Sequence, residues 1–422
     1  MIPWNNFLLA YLVLFFASAG VRLTLERLNA SRIRKEGGRV PEVFRGFINS
    51  TELVRMDRYN LDKIDFSLVE SVTSRGVFLM IVLSGALPWV AASIDDVGFV
   101  WAGLIFFAVP ALAGQILDLP FDYYRNFVLE AKYGFNTMTR KIWVLDNLKS
   151  LVLGVILGGV LLGLFLLIVN LVKNSWWIWA WVVLVGFQLL MMVLYPTLIA
   201  PLFNKFTPVE NESLARRIHE LAERQGVAVG DIVQMDAGKR SRHTNAYFTG
   251  LGRIKRIVLY DTLLTSHDEE EIIAVLAHEM GHLKKRHVIK QVLLFSLASL
   301  VLLYAASLLI HWQPLYRAFG FTMTPAYVGL FLAGILWEPA GFFLSPILMT
   351  VSRTFERQAD RYALSIAGKA DPLVRALKKM ARDNLSNLKP HPAYVRFHYS
   401  HPPLLERIET LERIEREAPR AR

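Results

Sequence analysis

The sequence predicts an α-helical integral membrane protein with seven spans and a soluble α+β domain between the fifth and sixth. Three observations lead there. Of 422 residues, 54% are hydrophobic and the mean hydropathy is positive, more apolar than a water-soluble chain. Apolar runs near 6–22, 77–94, 97–117, 150–172, 176–199, 289–311 and 327–350 each approach the length of a bilayer-crossing helix. Between the last two groups of runs, residues 200–288 change to mixed strand and helix patterning.

Taken in order, the first run opens with almost no positive charge and lacks a small-residue cleavage site before Arg22, so it reads as a retained span. Residues 23–75 form a basic connector with a turn at Gly37-Gly38, and 118–149 link the third and fourth spans. In the soluble stretch, Glu210 to Gln225 reads as an amphipathic helix. Ile232 to Met235, Ala246 to Phe248 and Ile254 to Tyr260 read as strands, with Gly250-Leu251-Gly252 turning between the last two. The tail 353–422 is mostly helical, broken near Pro390, Pro392 and Pro402-Pro403, with a solvated, fraying helix over 405–422. The domain plan is therefore 1–199 for five spans, 200–288 for the soluble unit, 289–351 for two more spans, and 352–422 for a tail that completes the soluble unit. Trp176, Trp177, Trp179 and Trp181 read as an interfacial belt. Glu338, costly inside hydrocarbon, is expected to face water or a polar helix contact.

Lys and Arg set the orientation. Residues 22–75 and 125–149 are dense in both, whereas Ser93 to Gly98 has neither and carries Asp95 and Asp96. The amino terminus is thus expected outside, with 200–288 and the tail in the cytoplasm. The net charge of +11 follows the same asymmetry and favours contact with anionic lipid over nucleic acid, which is not expected as a partner. The absence of Cys excludes disulfides, thiolate nucleophiles and Cys-bound metals.

His278-Glu279-Met280-Gly281-His282 spells H-E-x-x-H. On a helix the two imidazoles share a face and can meet one metal ion, with Glu279 near enough to take a proton from a water on that ion. Ser266-His267-Asp268-Glu269 has the form of a capping box for this helix. Ile272, Ile273, Leu276, Met280 and Leu283 mark its buried stripe, so it is amphipathic and lies at the membrane edge. A catalytic zinc needs a third protein ligand and an open position. Glu356 and Asp360, four apart, supply one carboxylate for the metal and one to orient His278. The orientation above places all of them on one side. His243, His267 and His287 read as solvated and are left out of the site.

Several stretches then resemble the type I CAAX prenyl endopeptidases, the membrane enzymes that convert a-factor. They are Leu119-Pro120-Phe121-Asp122-Tyr123-Tyr124 with Glu130-Ala131-Lys132-Tyr133-Gly134-Phe135-Asn136, and Ile199-Ala200-Pro201-Leu202-Phe203-Asn204-Lys205-Phe206. His243-Thr244-Asn245-Ala246-Tyr247-Phe248, Arg256-Ile257-Val258-Leu259-Tyr260-Asp261-Thr262-Leu263, Phe355-Glu356-Arg357-Gln358-Ala359-Asp360 and Tyr399-Ser400-His401-Pro402-Pro403-Leu404-Leu405-Glu406-Arg407 complete the set, in family order over most of the chain. The resemblance implies a seven-helix barrel around a water-filled chamber, capped by a zincin-like domain. It implies one zinc held by His278, His282 and Glu356, a catalytic Glu279, and a peptide or protein substrate, prenylated in the family, lying along Asn245, Ala246, Tyr247 and Phe248. His401 is the candidate oxyanion donor with His398 as rival, and Arg407 assists or braces Glu356. A short Arg-rich tail without a retrieval signal suggests a bacterial inner-membrane member. Two other readings stay open: a smaller quality-control membrane zinc protease of the HtpX type, and a transporter or channel with a structural zinc. Substrate identity and oligomeric state stay open as well.

Overall fold

The computed structural model describes residues 4–227, 229–249 and 256–417. Among the described residues, seven helices are long and apolar enough to cross a bilayer: Asn6–Glu36, Ser50–Leu83, Phe99–Glu130, Arg140–Leu171, Trp176–Phe203, His287–Leu309 and Ala326–Ala367. Each packs on its neighbour in the chain, and the seventh closes on the first, so they form a ring around a central space.

Most of these helices outrun the expected spans. The connector 23–75 is not an irregular loop. The first helix continues to Glu36, Gly38 turns the chain at φ 76, and the second helix starts at Ser50, capped by Asn49 and Glu52. The second span is therefore the last part of a 34-residue helix, and it stops at Leu83. Gly85 in the left-handed region then starts a separate short helix, Ala86–Ser93, whose Leu87 and Ala91 join the apolar core at one end of the ring. The seventh helix has 42 residues, about 63 Å at 1.5 Å per residue. It crosses the apolar layer and carries Glu356 and Asp360 beyond it.

Both ends of the ring are closed. At one end an apolar core joins Leu8, Tyr11 and Phe15 of the first helix to Leu87, Phe106, Leu166, Leu315, Tyr316, Phe319 and Tyr327. At the other end sits the soluble unit. Its four-stranded sheet has the order β1 (Phe206–Pro208), β2 (Ile232–Met235), β4 (Arg256–Tyr260), β3 (Ala246–Thr249). Strand β1 escaped the sequence reading, since three residues carry no period. The expected start of β4 at Ile254 and the turn at Gly250-Leu251-Gly252 lie outside the described residues. Strand β3 is antiparallel to β4 and forms an edge of the sheet.

Two expectations, the tryptophan belt and the solvated terminal helix, need correction. Trp176 is buried in a helix core with Val169, Ala180 and Ile310, and Trp181 donates to the Ser296 carbonyl, while Trp179 is exposed. A row of four tryptophans on consecutive helix faces cannot all point to lipid. The terminal helix, Leu404–Glu417, is not solvated throughout: Ile408 and Leu411 are buried in the core beneath the soluble unit. Glu338 finds the polar helix contact, pairing with Arg22 at 3.3 Å and Arg75 at 2.8 Å across the first, second and seventh helices. These three side chains keep exposed surface, as expected of charges lining water rather than lipid.

Candidate metal centre

The helix Glu269–Lys284 starts two residues later than the sequence suggests. Asp268 and Glu271 form the reciprocal cap, while the Ser266 hydroxyl turns back to the Thr262 carbonyl. Ser266 and Asp268 are both suited to the cap, and Asp268, beside the first turn, takes it. The helix is also more enclosed than one amphipathic stripe implies. Ile272, Leu276 and Met280 are buried, and so are Ala274, Ala277, His278 and Gly281 on other faces. One side meets the sheet and the helix Glu212–Arg224, another the seventh helix. At the second contact Gly281 lies against the Ala359 backbone, where an added Cβ would be 2.9 Å from the Ala359 Cα.

That close approach brings two imidazoles to one carboxylate. The Nε2 atoms of His278 and His282 are 3.3 Å apart, and each is 3.3 Å from an oxygen of Glu356. One ligand atom from each of the three lies within 4.8 Å of the others. Glu356 Oε2 is buried near two imidazoles without an aligned hydrogen bond, as suits an oxygen that ligates a cation. Two imidazoles and a carboxylate with room for a fourth ligand are the donor set of a catalytic zinc. The residues present fit that ion.

Around this group sit the supports. Asp360 Oδ1 is 2.8 Å from His278 Nδ1. Arg407 grips Asp360 with two bonds, Nε to Oδ2 at 2.9 Å and Nη2 to Oδ1 at 2.6 Å. Arg407 thus braces Asp360 rather than Glu356. Burial disfavours charge on His278, but Asp360 and Glu356 outweigh it and raise its pKa to about 9, so a metal entering the site displaces a proton. Glu279 sits between the two histidines in sequence, and burial pushes its carboxyl up against the pull of His278 and His282. His401 Nδ1 stands 2.9 Å from Glu356 Oε2 with its ring largely exposed. His398 instead lies against Tyr394, apart from the three ligands.

Asn245 leads into the edge strand. Its backbone carbonyl accepts from the Tyr260 N–H at 3.2 Å, and its Oδ1 accepts from the Ala246 N–H at 2.9 Å. Ala246 and Phe248 pack toward the motif helix, and Tyr247 lies on the other face against Tyr260. The preceding loop is fastened to the membrane part. His243 stacks on Phe135 at 4.1 Å and contacts Glu130 and Asn384. The Arg242 backbone N–H donates to the Phe135 carbonyl, and Arg240 donates two hydrogen bonds to Asp146.

Sequence reasoning missed several supports. His243, His267 and His287 are not solvated: the first is the stacked latch just described, and the other two are buried. His287 touches His282 and Gln358. Arg353, one turn before Glu356, donates to the carbonyls of Val395 and Tyr399 and so holds the loop that presents His401. Its spacing from Glu356 and Asp360 on one helix face was the available signal.

A chamber of seven helices capped by a buried H-E-x-x-H site with a distant glutamate defines an integral-membrane zinc metalloprotease. Comparison with known proteins agrees. The family model described as CAAX prenyl protease N-terminal, five membrane helices, matches residues 30–205, and that of peptidase family M48 matches 208–415. A CAAX prenyl protease 1 homolog of Dictyostelium discoideum is 36% identical, covering 91% of this chain and 92% of the relative. CAAX prenyl protease 1 of Saccharomyces cerevisiae is 34% identical, covering 89% and 88%. The crystal structure of S. mikatae Ste24p superposes with a TM-score of 0.91 at 32% identity, covering 97% of this chain and all of that one. The chain belongs to the M48 peptidases, in the CAAX prenyl protease 1 branch, whose members depend on zinc.

Proposed function

We propose that this chain is a chamber endopeptidase that cleaves the carboxyl-terminal part of prenylated CAAX-type peptides, with its site facing the cytoplasm. The observation that carries the proteolytic reading is the convergence of His278, His282 and Glu356 beside Glu279. The substrate class rests on the names of relatives that match along nearly the whole chain. Sidedness rests on the basic connectors.

His278, His282 and Glu356 would hold the zinc, which when bound would supply Lewis-acid polarisation of a water and of the scissile carbonyl. Asp360 accepts from His278 Nδ1–H, which leaves the Nε2 lone pair for the metal, and Arg407 fixes Asp360 in turn. Glu279 takes the proton of the attacking water and passes it to the leaving amine. His401, close to Glu356 and reachable from solvent, donates to the oxygen that gains charge in the transition state. An extended substrate adds to the free edge of β3, from Asn245 to Phe248, as a further strand. Anionic lipid contacts the basic connectors.

The test is cleavage of a farnesylated CAAX peptide by purified protein, blocked by phenanthroline and restored by zinc. Glu279→Gln should keep one zinc per chain and lose turnover; cleavage by that variant would overturn the assignment of the base. His282→Ala should lose the metal as well, read by elemental analysis.

A further inference from the structure

His287 is 1% exposed and pressed against the metal site, yet the catalytic scheme gives it no task. Its Nδ1 is 3.1 Å from His282 Nδ1, and its Nε2 is 2.9 Å from Gln358 Oε1. Its ring stacks on Phe355, with centroids 4.4 Å apart and planes 9° from parallel. The backbone makes a special effort to put it there. The motif helix ends at Lys284, and Arg286, at φ 54, caps the sixth helix in the left-handed region. That conformation costs a non-glycine residue about 1 kcal/mol, and it folds His287 back onto His282.

The protons along this chain are linked, so each partner fixes the next. An amide oxygen accepts and never donates. With Oε1 of Gln358 as partner, His287 carries its proton on Nε2 and has a lone pair on Nδ1. That lone pair needs a donor, and His282 Nδ1 is the neighbour, so His282 carries its proton on Nδ1. Its lone pair is then on Nε2, the nitrogen 3.3 Å from both His278 Nε2 and Glu356 Oε1. Turning the Gln358 amide over reverses the whole relay and points an N–H of His282 at the metal position. Heavy-atom positions permit both arrangements, and metal ligation selects the first.

We propose that His287 and Gln358 are positioning residues that hold His282 in the tautomer able to bind zinc through Nε2. The proposal rests on the reading of His282 as a ligand. It makes the two ligand imidazoles different in kind. His278 is steered by a charged pair, Asp360 and Arg407, whereas His282 is steered by a neutral relay. Phe355, Glu356 and Gln358 are close neighbours on one helix, so the element that brings the third ligand also sets the tautomer of the second.

The experiment measures zinc affinity of the purified full-length protein by competition with a chelator, without substrate. Gln358→Met removes the acceptor at similar length, Gln358→Glu keeps an acceptor, and His287→Phe keeps the stack but breaks the relay. His287→Phe and Gln358→Met should each weaken zinc binding about 10–100-fold, the usual loss for partners of metal ligands. Gln358→Glu should stay within a few-fold of the parent. The double variant His287→Phe/Gln358→Met should bind no more weakly than His287→Phe alone, because Gln358 acts through His287. Gln358→Met and Gln358→Glu binding alike, or additive losses in the double variant, would overturn the relay. The two Gln358 variants suffice should His287→Phe not fold. Zinc binding retained by His282→Ala would overturn the ligand reading itself, which separates the two failures.

Discussion

A single methyl group at position 281 tests how tightly the metal site is set. Gly281 lies between the two histidines, and a Cβ there would press within 2.9 Å of the Ala359 Cα, on the helix that carries Glu356 and Asp360. No flexible side-chain end can yield at that contact. Gly281→Ala must therefore part the helices by a few tenths of an ångström, at a cost of about 1–3 kcal/mol. The expected outcome is a lower melting temperature and loosened zinc, read by thermal unfolding and metal content; parental values for both would show that the interface yields elsewhere. Arg407 gives a second test. Its planar fork makes two bonds to Asp360, which Lys cannot copy. Arg407→Lys should lower activity about 10–100-fold with weaker zinc binding, following the usual effect of partners behind a ligand. At this scale the sequence was readable where chemistry imposes a spacing. H-E-x-x-H and E-x-x-x-D each announce one helix face. His287 and Gln358 were not readable, since their contact crosses a left-handed turn and two helices, and no period encodes that.

Between helices and strands, the ends were harder to read than the elements. Seven apolar runs stand out because bilayer length is a strong constraint, but the second helix continues from Leu83 back to Ser50 through charged residues, where Leu53, Met56 and Tyr59 pack into the core beneath the soluble unit. The cap of the motif helix shows the same limit. Ser266 and Asp268 both suit an N-cap, and the choice depends on Lys379 and Arg375 of the helix Asp371–Asp383, which pair with Glu271 and Asp268. This contact has a pH signature. His267 is buried next to the cap, and burial lowers its pKa below 6.5, against the pull of Glu271 and Asp383 and with Lys379 adding to the shift. The unfolded chain then takes up the proton first as pH falls. The stability that neutral His267 contributes is complete above the unfolded value and is lost as pH drops from there toward the folded value. His267→Gln should lose less thermal stability than the parent between pH 7.5 and 5.5, with both measured in the presence of chelator so that the metal ligands contribute no zinc-linked difference. An identical pH slope for the two proteins would remove His267 from this account.

For the molecule as a whole, one pair of helices joins the membrane ring to the chemistry. The motif helix carries His278 and His282 and runs through the Arg286 turn into the sixth helix, and the seventh helix returns with Glu356. The ring and the protease unit therefore cannot be moved independently. The far end of the ring is sealed by the core around Phe106, Tyr316 and Tyr327. If the basic connectors face the cytoplasm, so does the metal site, while the sealed end faces outward. The absence of cysteine makes this easy to examine, because any introduced thiol is unique. Asp96 is exposed at the sealed end, and Glu42 and Lys369 are exposed at the protease end. In a bacterial inner membrane, Asp96→Cys should react with an impermeant maleimide in intact spheroplasts. Glu42→Cys and Lys369→Cys should react in inverted vesicles and stay unlabelled in spheroplasts. The reverse pattern would put zinc and substrate on the outer side, and the positive residues flanking the first four spans would then need another explanation than retention in the cytoplasm.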